Sequence, residues 1–476
     1  MSEAGRFTTG STLRHVTVMA LTGSLGLTFV FLVDFVTLLY VGWLGEPVYV
    51  AALGFAWVIQ FFAISVGIGF AIAATALVSR NLGARDRPAA RRLAGTSLAV
   101  TAGVLTAVTV LAVAAREPVL EHLLGAEGEA LEVASRFLLI SLPSLPLMTF
   151  GMVGSSILRA EGDARRAMMT TLSAGVVTAA LDPFLIFERV TIPSPLEGGG
   201  MWVDLPGFGW GVDGAAAMLV VSRLVMLAVA MHAVVRVHDL AAWPSWGDVR
   251  RDARQIFAVA IPASVTQMST PLGTCLLIAA VARFGDQAVA GWSVASRMML
   301  LAFGGIFALS GAIGGIIGQN FGAGRWDRVA RAYLDAMLFC LVYVGLIWAL
   351  LWLATPSIVT AFALQGLGAE VLIWFTSVGA GAFVFAGFAF VANSAFNNLG
   401  RPTWSAGINW ARDGVALPAA LAGVAWLGLG VEGPVFAQAA ATVLVGAAGG
   451  LWGWAWIARR AGAAAPRGLA SAAGSG

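Results

Sequence analysis

Three acidic residues lie deep within apolar sequence, where a charged side chain is costly and by default suggests a function. Asp34 lies in LVDFVTLLYVG, Asp182 in AALDPFLIF and Asp413 in WARDGVALP. Two neighbouring carboxylates in a medium of low dielectric constant cannot both ionise easily. If Asp34 and Asp182 lie together, they therefore form a site for a proton or a small cation. The alternative is that each Asp only caps or pairs with a polar group inside a helix bundle.

Three basic residues also lie deep in apolar sequence, namely Arg223, Arg297 and Arg412. Arg412 directly precedes Asp413, and adjacent residues do not face each other on an α-helix. We therefore expect that these two side chains do not form one salt bridge. Either could pair with a residue of another helix, such as Arg297 or Arg223, or the arginine could extend towards the membrane surface. Arg223 and Arg297 could instead face a cavity and contact anionic groups.

Patterns typical of hydrolytic and nucleotide-driven enzymes are missing from the sequence. It contains no H-E-x-x-H, no G-x-S-x-G and no G-x-x-x-x-G-K-[ST] pattern. Cys275 and Cys340 lie inside apolar segments, and neither has the spacing of a metal ligand. The sequence thus predicts a protein that is not an enzyme and that uses no metal and no cofactor.

The composition indicates which class of protein must position these residues. The chain of 476 residues is 59% hydrophobic and 11% charged, with a mean hydropathy of +0.86. Ordinary soluble domains are about 45–50% apolar and about 25% charged, so a soluble globular protein is excluded. Twelve apolar segments are long enough to cross a membrane as helices of about 20 residues. They are 16–41, 48–79, 93–115, 131–158, 167–187, 211–235, 255–282, 288–318, 332–354, 368–397, 403–426 and 434–458.

The arginines orient these spans. Nearly all arginines outside the spans lie in one alternating set of connections, and the other set contains only Arg116, Arg189 and Arg283. Because positive charge marks the cytoplasmic face, both termini are predicted in the cytoplasm, with the protein in the inner or plasma membrane. At 1.5 Å per residue, Asp34 then lies about 12 Å and Asp182 about 8 Å below the external face. The two acids are therefore predicted at a similar depth.

The two halves of the chain repeat one pattern. Leu44-Gly45-Glu46 recurs as Phe284-Gly285-Asp286, and Asn81-Leu82-Gly83-Ala84 recurs as Asn320-Phe321-Gly322-Ala323. Two further pairs are Ser156–Gly162 with Ser394–Gly400 and Gly209–Gly214 with Gly428–Gly433. Six spans per repeat is an even number, so both copies enter the membrane from the same side. Parallel repeats are one known plan of transporters, with the substrate site between the halves.

We therefore predict an all-α polytopic membrane protein, with twelve transmembrane helices in two parallel six-helix repeats around a central cleft. The predicted divisions are an N-terminal lobe at 1–235, a cytoplasmic interfacial linker at 236–254 and a C-terminal lobe at 255–460. The tail at 461–476 is rich in Ala, Gly and Ser and is expected to be disordered. The external stretch 188–210 is expected to be a long loop.

Several segments resemble the multidrug and toxic compound extrusion (MATE) transporters. Asp34 followed by Tyr40-Val-Gly-Trp-Leu-Gly45 looks like the first-helix pattern of that family. Other segments look like further motifs of the family in the same order, namely Asn81–Ala84, Leu158–Asp163, Leu181–Phe187 and Gly211–Ala216. The pattern of acids is similar to that of the DinF-like branch, which uses carboxylates in its first half.

The resemblance implies export of substrate by alternating access, in exchange for inward H⁺ or Na⁺. It implies that cation coupling centres on the acids Asp34 and Asp182. Two positions depart from the family pattern: Thr178 replaces an Asn that is often found one turn before the second acid, and Leu219 replaces a Thr. Fewer oxygen ligands weaken a Na⁺ site, which favours H⁺.

The expected substrate is an amphipathic, often cationic small molecule. Aromatic, Met and Arg side chains are candidates for the lining of its cleft, although packing is the commoner role of any one apolar residue. They are Trp57, Phe61, Met298, Met299, Arg297 and Arg223. The alternative is a flippase for a lipid-linked precursor, which deep arginines favour, and a membrane-embedded enzyme is a third hypothesis. The expected partners are the substrate and the lipid bilayer, without nucleic acid, and the protein is expected to be a monomer.

Overall fold

The computed structural model describes residues 5–193 and 202–464, and most of them are helical. After a short 3-10 helix, Arg6–Thr8, come twelve helical segments, α1 to α12. The first six are α1 Thr12–Gly42, α2 Pro47–Gly83, α3 Arg87–Leu123, α4 Gly128–Glu161, α5 Ala164–Ile186 and α6 Gly211–Val237. The second six are α7 Trp246–Ala282, α8 Asp286–Ala302 with Gly304–Gly322, α9 Trp326–Ala361, α10 Gly366–Asn398, α11 Pro402–Trp410 with Ala411–Ala416 and Leu417–Trp426, and α12 Glu432–Ala464.

Each predicted apolar segment coincides with one of these helical segments. Among the described residues, 10 helices are long and apolar enough to cross a membrane, and α8 adds one more across a bend of 44°. We count α11 as the twelfth span because its three helical stretches follow one another directly. The middle stretch is a π-helical turn that contains Arg412 and Asp413. The protein is thus an all-α polytopic membrane protein, as the sequence predicts.

The helices form two lobes of the same plan, one from α1 to α6 and one from α7 to α12. Between the lobes, α2 packs against α7 and α8, and α1 packs against α8. Each lobe has its own buried apolar core, and the core of the second lobe also includes Phe7, Val16 and Met19 from the beginning of the chain. The central boundary is therefore formed mainly by the first two helices of each repeat.

The lobes pack most tightly at the arginine-rich end of the bundle, where the described chain begins and ends. There α2 and α8 cross at Gly83 and Gly322, which are corresponding positions of the repeat. A Cβ on Gly83 would lie 1.9 Å from the Gln319 carbonyl oxygen, and one on Gly322 would lie 1.9 Å from the Arg80 carbonyl oxygen. Small residues permit such close backbone approach, so the repeated Asn-x-Gly-Ala motif is explained by a helix crossing.

Two side chains connect the lobes at the same end. Arg80 donates from Nε to the Asn398 carbonyl oxygen at 2.7 Å and from Nη2 to the Asn397 carbonyl oxygen at 3.0 Å. Gln319, the counterpart of Arg80 in the repeat, donates from Nε2 to the Ala160 carbonyl oxygen at 2.6 Å. Each lobe thus satisfies carbonyl groups at the C-terminal end of a helix in the other lobe.

The segment before α1 adds a third connection. Phe7 is buried, and its backbone N–H donates to Gln319 Oε1 at 2.8 Å. Its carbonyl oxygen accepts from Arg328 Nη2 at 2.9 Å. Arg6 donates from Nη1 to the Gly162 carbonyl oxygen in the first lobe at 3.1 Å. Residues before α1 therefore contact both lobes.

At the opposite end of the bundle, here called the hairpin end, close glycine contacts lie within a lobe. A Cβ on Gly291 would lie 2.2 Å from the Gly368 carbonyl oxygen, and one on Gly214 would lie 2.3 Å from the Leu185 carbonyl oxygen. The lobes still contact each other through Arg297, whose guanidinium lies 5.0 Å from the centre of the Phe35 ring.

The stretch 188–210, predicted as a loop, contains a β-hairpin. Strand β1, Arg189–Pro193, pairs antiparallel with β2, Trp202–Pro206, with Arg189 opposite Pro206. The residues that connect the two strands lie outside the described part of the chain. The hairpin lies between the two spans α5 and α6, at the end opposite the termini.

The structure also bears on the predicted linker and tail. Only 238–245 of the predicted linker at 236–254 lies outside helices, because α7 begins at Trp246. The Ser245 hydroxyl accepts from the N–H of Asp248 and caps this helix. Of the predicted tail at 461–476, the first four residues continue α12 and the others lie outside the described residues.

Candidate functional site

Close packing of α1 on α5 positions the two predicted acids. A Cβ on Gly26 would lie 2.6 Å from Thr171 Oγ1, and one on Gly175 would lie 2.8 Å from the Phe29 ring. Small residues at this contact let the helices approach closely. Thr37, three residues after Asp34 on α1, donates a hydrogen bond to Asp182 on α5, so the two acids lie close together. Their approach agrees with the similar depth that the sequence predicts.

The environments of the two carboxylates differ. The Asp34 side chain is exposed at the protein surface. Asp182 is 1% exposed. Its Oδ2 accepts a hydrogen bond from the Thr37 hydroxyl, whereas its Oδ1 is buried without a hydrogen-bond partner among the described residues. A buried carboxylate oxygen without a partner is costly, so Asp182 Oδ1 is a place where a proton or a cation would bind favourably.

Arg223 supplies positive charge next to this pair. It is 5% exposed and lies on α6 inside the first lobe. Its Nη2 donates to Gln60 Oε1 at 2.7 Å, and its Nη1 donates to the Ser144 hydroxyl at 2.8 Å and the Ser141 carbonyl oxygen at 2.7 Å. Arg223 also interacts electrostatically with Asp34. Its hydrogen bonds hold it in the wall of the lobe.

The third predicted coupling residue, Thr178, lies on α5 one turn before Asp182. It is buried, and its hydroxyl donates to the Ala174 carbonyl oxygen at 3.0 Å. A hydroxyl oxygen that donates in this way can still accept a hydrogen bond or contact a cation. Leu219 packs on the apolar core at the outer part of the lobe and offers no oxygen.

The arrangement holds more negative than positive charge. Asp34 and Asp182 together outweigh Arg223 by one charge when all three are ionised. A single proton or monovalent cation would neutralise the group. The apolar surroundings make such neutralisation favourable, because an unpaired charge is costly there. The chemistry available at this site is therefore reversible binding of a small cation.

The predicted cleft residues occupy several surfaces. Trp57 is 59% exposed on α2, and its ring stacks on Phe61 with 4.8 Å between the ring centres. Arg297 is exposed on α8 and faces Phe35 of the other lobe. Met298 and Met299 are half-buried against the core of the second lobe. The structure thus brings Arg297 to the boundary between the lobes.

The expectation for Arg412 and Asp413 is wrong. These neighbours form one salt bridge, with Arg412 Nε 2.8 Å from Asp413 Oδ1 and Arg412 Nη2 2.9 Å from Asp413 Oδ2. They lie in a π-helical turn, whose wider winding changes the directions of successive side chains from those of an α-helix. The long arginine side chain then folds back on its neighbour. Asp413 Oδ2 also accepts from the Ser269 hydroxyl on α7 at 2.9 Å.

Two polar residues of the site were not predicted. Thr37 lies three positions after Asp34 on α1, so helical periodicity places both on one face, and this spacing could have identified it. Gln60 is a buried amide within the apolar sequence of α2. Its polarity is a signal of the same kind as that of the buried acids, but weaker, because an uncharged side chain costs less to bury than an ionised one.

Comparison with protein families gives one match, which occurs twice along the chain. The MatE family matches residues 24–184 and 262–421. The two matched regions fall in the two lobes, in agreement with the repeat in the sequence.

Individual proteins that resemble the chain are transporters by their names. The chain is 26% identical to a FAD transporter of Shewanella oneidensis over 76% of this chain and 77% of the relative. It is 24% identical to the probable multidrug resistance protein NorM of Thermotoga maritima, over 64% and 62% of the two chains. A solved structure described as an outward-facing multidrug resistance MATE family transporter superimposes with a TM-score of 0.86. It shares 21% identity and covers 97% of this chain and 99% of that chain, so the fold is shared.

Proposed function

Because the chain belongs to the multidrug and toxic compound extrusion (MATE) family, we propose that it is a secondary antiporter. It exports amphipathic, often cationic compounds in exchange for inward H⁺, or Na⁺, by alternating access. It is a multi-span membrane transporter of small molecules, and transport rather than catalysis is the role of the family. We assign it to the plasma membrane of its cell, as a monomer with both termini in the cytoplasm. The closer assignment to the DinF-like branch stays a prediction.

The observation that carries this proposal is the unpaired oxygen of Asp182 beside a second carboxylate. Asp182 Oδ1 is buried without a partner in the described chain, and Asp34 lies one turn before Thr37, which donates to the other oxygen of the same carboxylate. A proton that enters from outside would relieve both the unsatisfied oxygen and the repulsion between the acids. Its binding would also remove the negative charge that attracts a cationic substrate. Substrate and proton would therefore compete for one charge, which is the basis of exchange.

The same geometry favours H⁺ over Na⁺. A sodium ion needs a shell of several oxygen ligands, whereas a proton needs one oxygen. The oxygens near Asp182 are those of Thr37, which already donates to it, and Thr178, which donates to Ala174. Leu219 adds no ligand. A proton is therefore the better match to this donor set.

The conformation fits one state of an alternating-access cycle. The lobes are closed at the arginine-rich end by the crossing of Gly83 and Gly322 and by the hydrogen bonds of Arg80 and Gln319. The positive-inside rule assigns that end to the cytoplasm. The state is therefore closed to the cytoplasm, and Asp34, in the outer half of its span, would be reached from outside.

One observation favours the alternative, a flippase for a lipid-linked precursor. Arg297 is exposed within its span and forms no salt bridge among the described residues, and its guanidinium lies over the Phe35 ring. An accessible guanidinium at the boundary between lobes suits an anionic group such as a phosphate. The proposed cleft residues Trp57, Phe61, Met298 and Met299 are compatible with either substrate.

The test is efflux of a fluorescent cationic dye from cells that lack their own pumps. Wild-type protein, Asp34→Asn and Asp182→Asn are compared, each with the proton gradient intact and collapsed, and with or without a sodium gradient. We expect proton-dependent efflux that both variants lose. Efflux that depends on the sodium gradient would show that Na⁺, and not H⁺, is the coupling ion. Efflux that persists in both variants would refute coupling at these two acids. Absence of dye efflux with well-folded protein would favour the lipid-linked substrate.

A further inference from the structure

Arg159, in the last turn of α4, carries a positive charge that no acidic side chain neutralises. It is partly buried and forms no salt bridge among the described residues. The two acids that follow it in the chain bind elsewhere. Glu161 lies 3.6 Å from Arg87 Nη1, and Asp163 accepts from Arg166 Nη1 at 2.6 Å. A guanidinium stays protonated in proteins, and an uncompensated charge in apolar surroundings is costly. This side chain therefore favours a negatively charged ligand.

The guanidinium of Arg159 points back along α4, away from the end of the helix. Its Nη1 donates to the Ser155 hydroxyl at 2.9 Å and its Nη2 donates to the Ser156 hydroxyl at 2.7 Å. Its Nε is buried without a hydrogen-bond acceptor among the described residues. At the helix end, the Ala160 carbonyl oxygen accepts from Gln319 instead. Of the five N–H groups of a guanidinium, three thus have no acceptor within the described chain.

The same side chain lines a cavity between the lobes. The cavity has a volume of about 130 Å³ and is bounded by residues of α1, α4 and α5 in the first lobe and of α8 in the second. Arg159 is the one ionisable residue of this described lining, which is otherwise apolar except for Thr171. The Thr171 hydroxyl donates to the Met168 carbonyl oxygen, and its oxygen is turned towards Gly26 at the contact between α1 and α5. The lining therefore carries one positive charge and no negative charge.

A glycine on α8 gives this side chain its room. A Cβ on Gly311 would lie 3.4 Å from Arg159 Nε, at the tight end of van der Waals contact. In the alignment of the two repeats, Ile72 of α2 corresponds to Gly311, and Asn397 of α10 corresponds to Arg159. The related position in the other half of the molecule thus has neither the charge nor the glycine. The architecture of the repeat therefore does not itself require them.

We propose that this cavity binds a small monovalent anion, such as chloride, against the Arg159 guanidinium. The charge of the lining sets the valence, because one negative charge neutralises the guanidinium. A divalent anion would instead leave a net negative charge in apolar surroundings. The volume sets the size, because benzene needs an apolar cavity of about 150 Å³, and the cavity of about 130 Å³ is too small for an aromatic acid.

Both lobes form the site, so a bound anion also acts on the relation between them. Arg159 belongs to the first lobe, and the wall that contains Gly311 belongs to the second. Separation of the lobes at the arginine-rich end would remove this wall. A ligand stabilises the state that binds it, so the anion favours the state closed at that end. This consequence rests on the proposed alternating access, whereas binding of the anion does not.

The test uses chloride itself as the probe. Its binding to the purified full chain, in detergent with gluconate as the other anion, is measured by ³⁵Cl nuclear magnetic resonance line broadening. We expect saturable broadening that nitrate reverses, and that sulfate or benzoate at equal ionic strength reverses about tenfold less effectively. Broadening that does not saturate would overturn the proposal. Displacement by sulfate or benzoate as effective as that by nitrate would also overturn it.

Matched variants locate the bound chloride. Arg159→Gln removes the charge and should weaken chloride binding by about tenfold or more, whereas Arg159→Lys keeps the charge and should retain binding. Arg14→Gln removes the same charge at an exposed position of the same end and should leave binding unchanged. Ala164 lines the cavity, so Ala164→Leu should occupy it and abolish binding while Arg159 stays in place.

Thermal unfolding in gluconate shows which variants are folded. If Arg159→Gln does not fold, Ala164→Leu and Arg159→Lys decide the question, because both keep a positive charge at position 159. Chloride binding that persists in Ala164→Leu, or that is lost equally in Arg14→Gln, would place the ion elsewhere and refute the site.

The outcome is separable from that of the proposed function, because chloride binding is measured without transport. If dye efflux does not depend on Asp34 or Asp182 but chloride binds as described, coupling at the acids fails and the anion site stands. If efflux behaves as proposed and chloride does not bind at Arg159, the anion site alone fails.

Discussion

Replacement of Arg80 by Ala should destabilise the state in which the lobes are closed at the arginine-rich end. In that state Arg80 makes hydrogen bonds of 2.7 Å and 3.0 Å to carbonyl oxygens of α10. A hydrogen bond to a charged group contributes about 1.5–3 kcal/mol. Two such bonds contribute about 3–6 kcal/mol. When the lobes separate, water forms hydrogen bonds with the freed groups and offsets part of this energy. We therefore use the lower value of about 3 kcal/mol.

This energy corresponds to a large change in population. Because about 1.4 kcal/mol is a factor of ten, a loss of about 3 kcal/mol shifts the ratio of the two states by roughly 100-fold. A protein that is 99% closed at the arginine-rich end would become about half closed. Arg14→Ala is the control, since Arg14 is exposed at the same end and its side chain makes no hydrogen bond or salt bridge among the described residues. It removes the same charge without removing a contact between the lobes.

The shift can be measured by electron–electron double resonance between two spin labels at the hairpin end. Glu46→Cys and Asp286→Cys are suitable positions, because they correspond in the repeat and lie in different lobes. Cys275→Ser and Cys340→Ala remove the native thiols. Opening at the arginine-rich end should bring the labels closer together in the Arg80→Ala protein. An unchanged distance distribution in that variant, or an equal change in the Arg14→Ala control, would refute the reasoning.

Three further predictions concern stability and coupling. Gly322→Ala places a Cβ 1.9 Å from the Arg80 carbonyl oxygen and should destabilise the protein by about 1–3 kcal/mol. The control is Gly345→Ala, on an open face of α9, which should leave the Tm nearly unchanged. Equal effects of the two substitutions on the Tm would contradict the helix crossing. At Asp163, between α4 and α5, burial acts to raise the pKa, but hydrogen bonds from the backbone and side chain of Arg166 and from His238 outweigh it and hold the pKa below its usual value. This carboxylate should therefore stabilise the protein above about pH 4. Asp163→Asn should lower the Tm above that pH, and the Tm difference from the wild-type protein should shrink as the pH falls below it. A Tm difference that does not change with pH would contradict the lowered pKa of Asp163. Thr37→Val leaves Asp182 without its hydrogen-bond donor and should reduce proton-coupled efflux about tenfold. Thr37→Ser keeps the hydroxyl and should retain efflux. Equal efflux by the two variants would show that the hydroxyl is dispensable.

Much of the fold could be predicted because membrane helices have strong signals. Each predicted apolar segment corresponds to a helical span. The repeat of Leu44-Gly45-Glu46 as Phe284-Gly285-Asp286 correctly predicts two lobes of the same plan. The crossing of Gly83 and Gly322 could not be predicted in detail, since small residues permit close contact without specifying the partner. The β-hairpin in 188–210 was missed because its strands are short and interrupted by prolines and glycines.

The candidate site was predictable in its charged residues and less so in their partners. Asp34 and Asp182 stand out because ionised groups are rare in apolar sequence. Helical periodicity places Thr37 on the face of Asp34, but the bond of its hydroxyl to Asp182 depends on how α1 packs on α5. The bond of the Gln60 amide to Arg223 likewise depends on how α2 packs on α6. The error at Arg412 and Asp413 has a specific cause, because the rule for adjacent residues assumes α-helical winding and this turn is π-helical.

The central claim is that substrate and proton exchange for each other at Asp34 and Asp182. It is tested most directly with purified protein in sealed liposomes, where an imposed pH gradient is the only driving force and substrate and proton fluxes are recorded together. We predict that the wild-type protein moves a cationic substrate against the proton flow, and that Asp34→Asn and Asp182→Asn abolish both fluxes. Substrate movement without an opposite proton flux, or exchange that persists in the two variants, would contradict the claim.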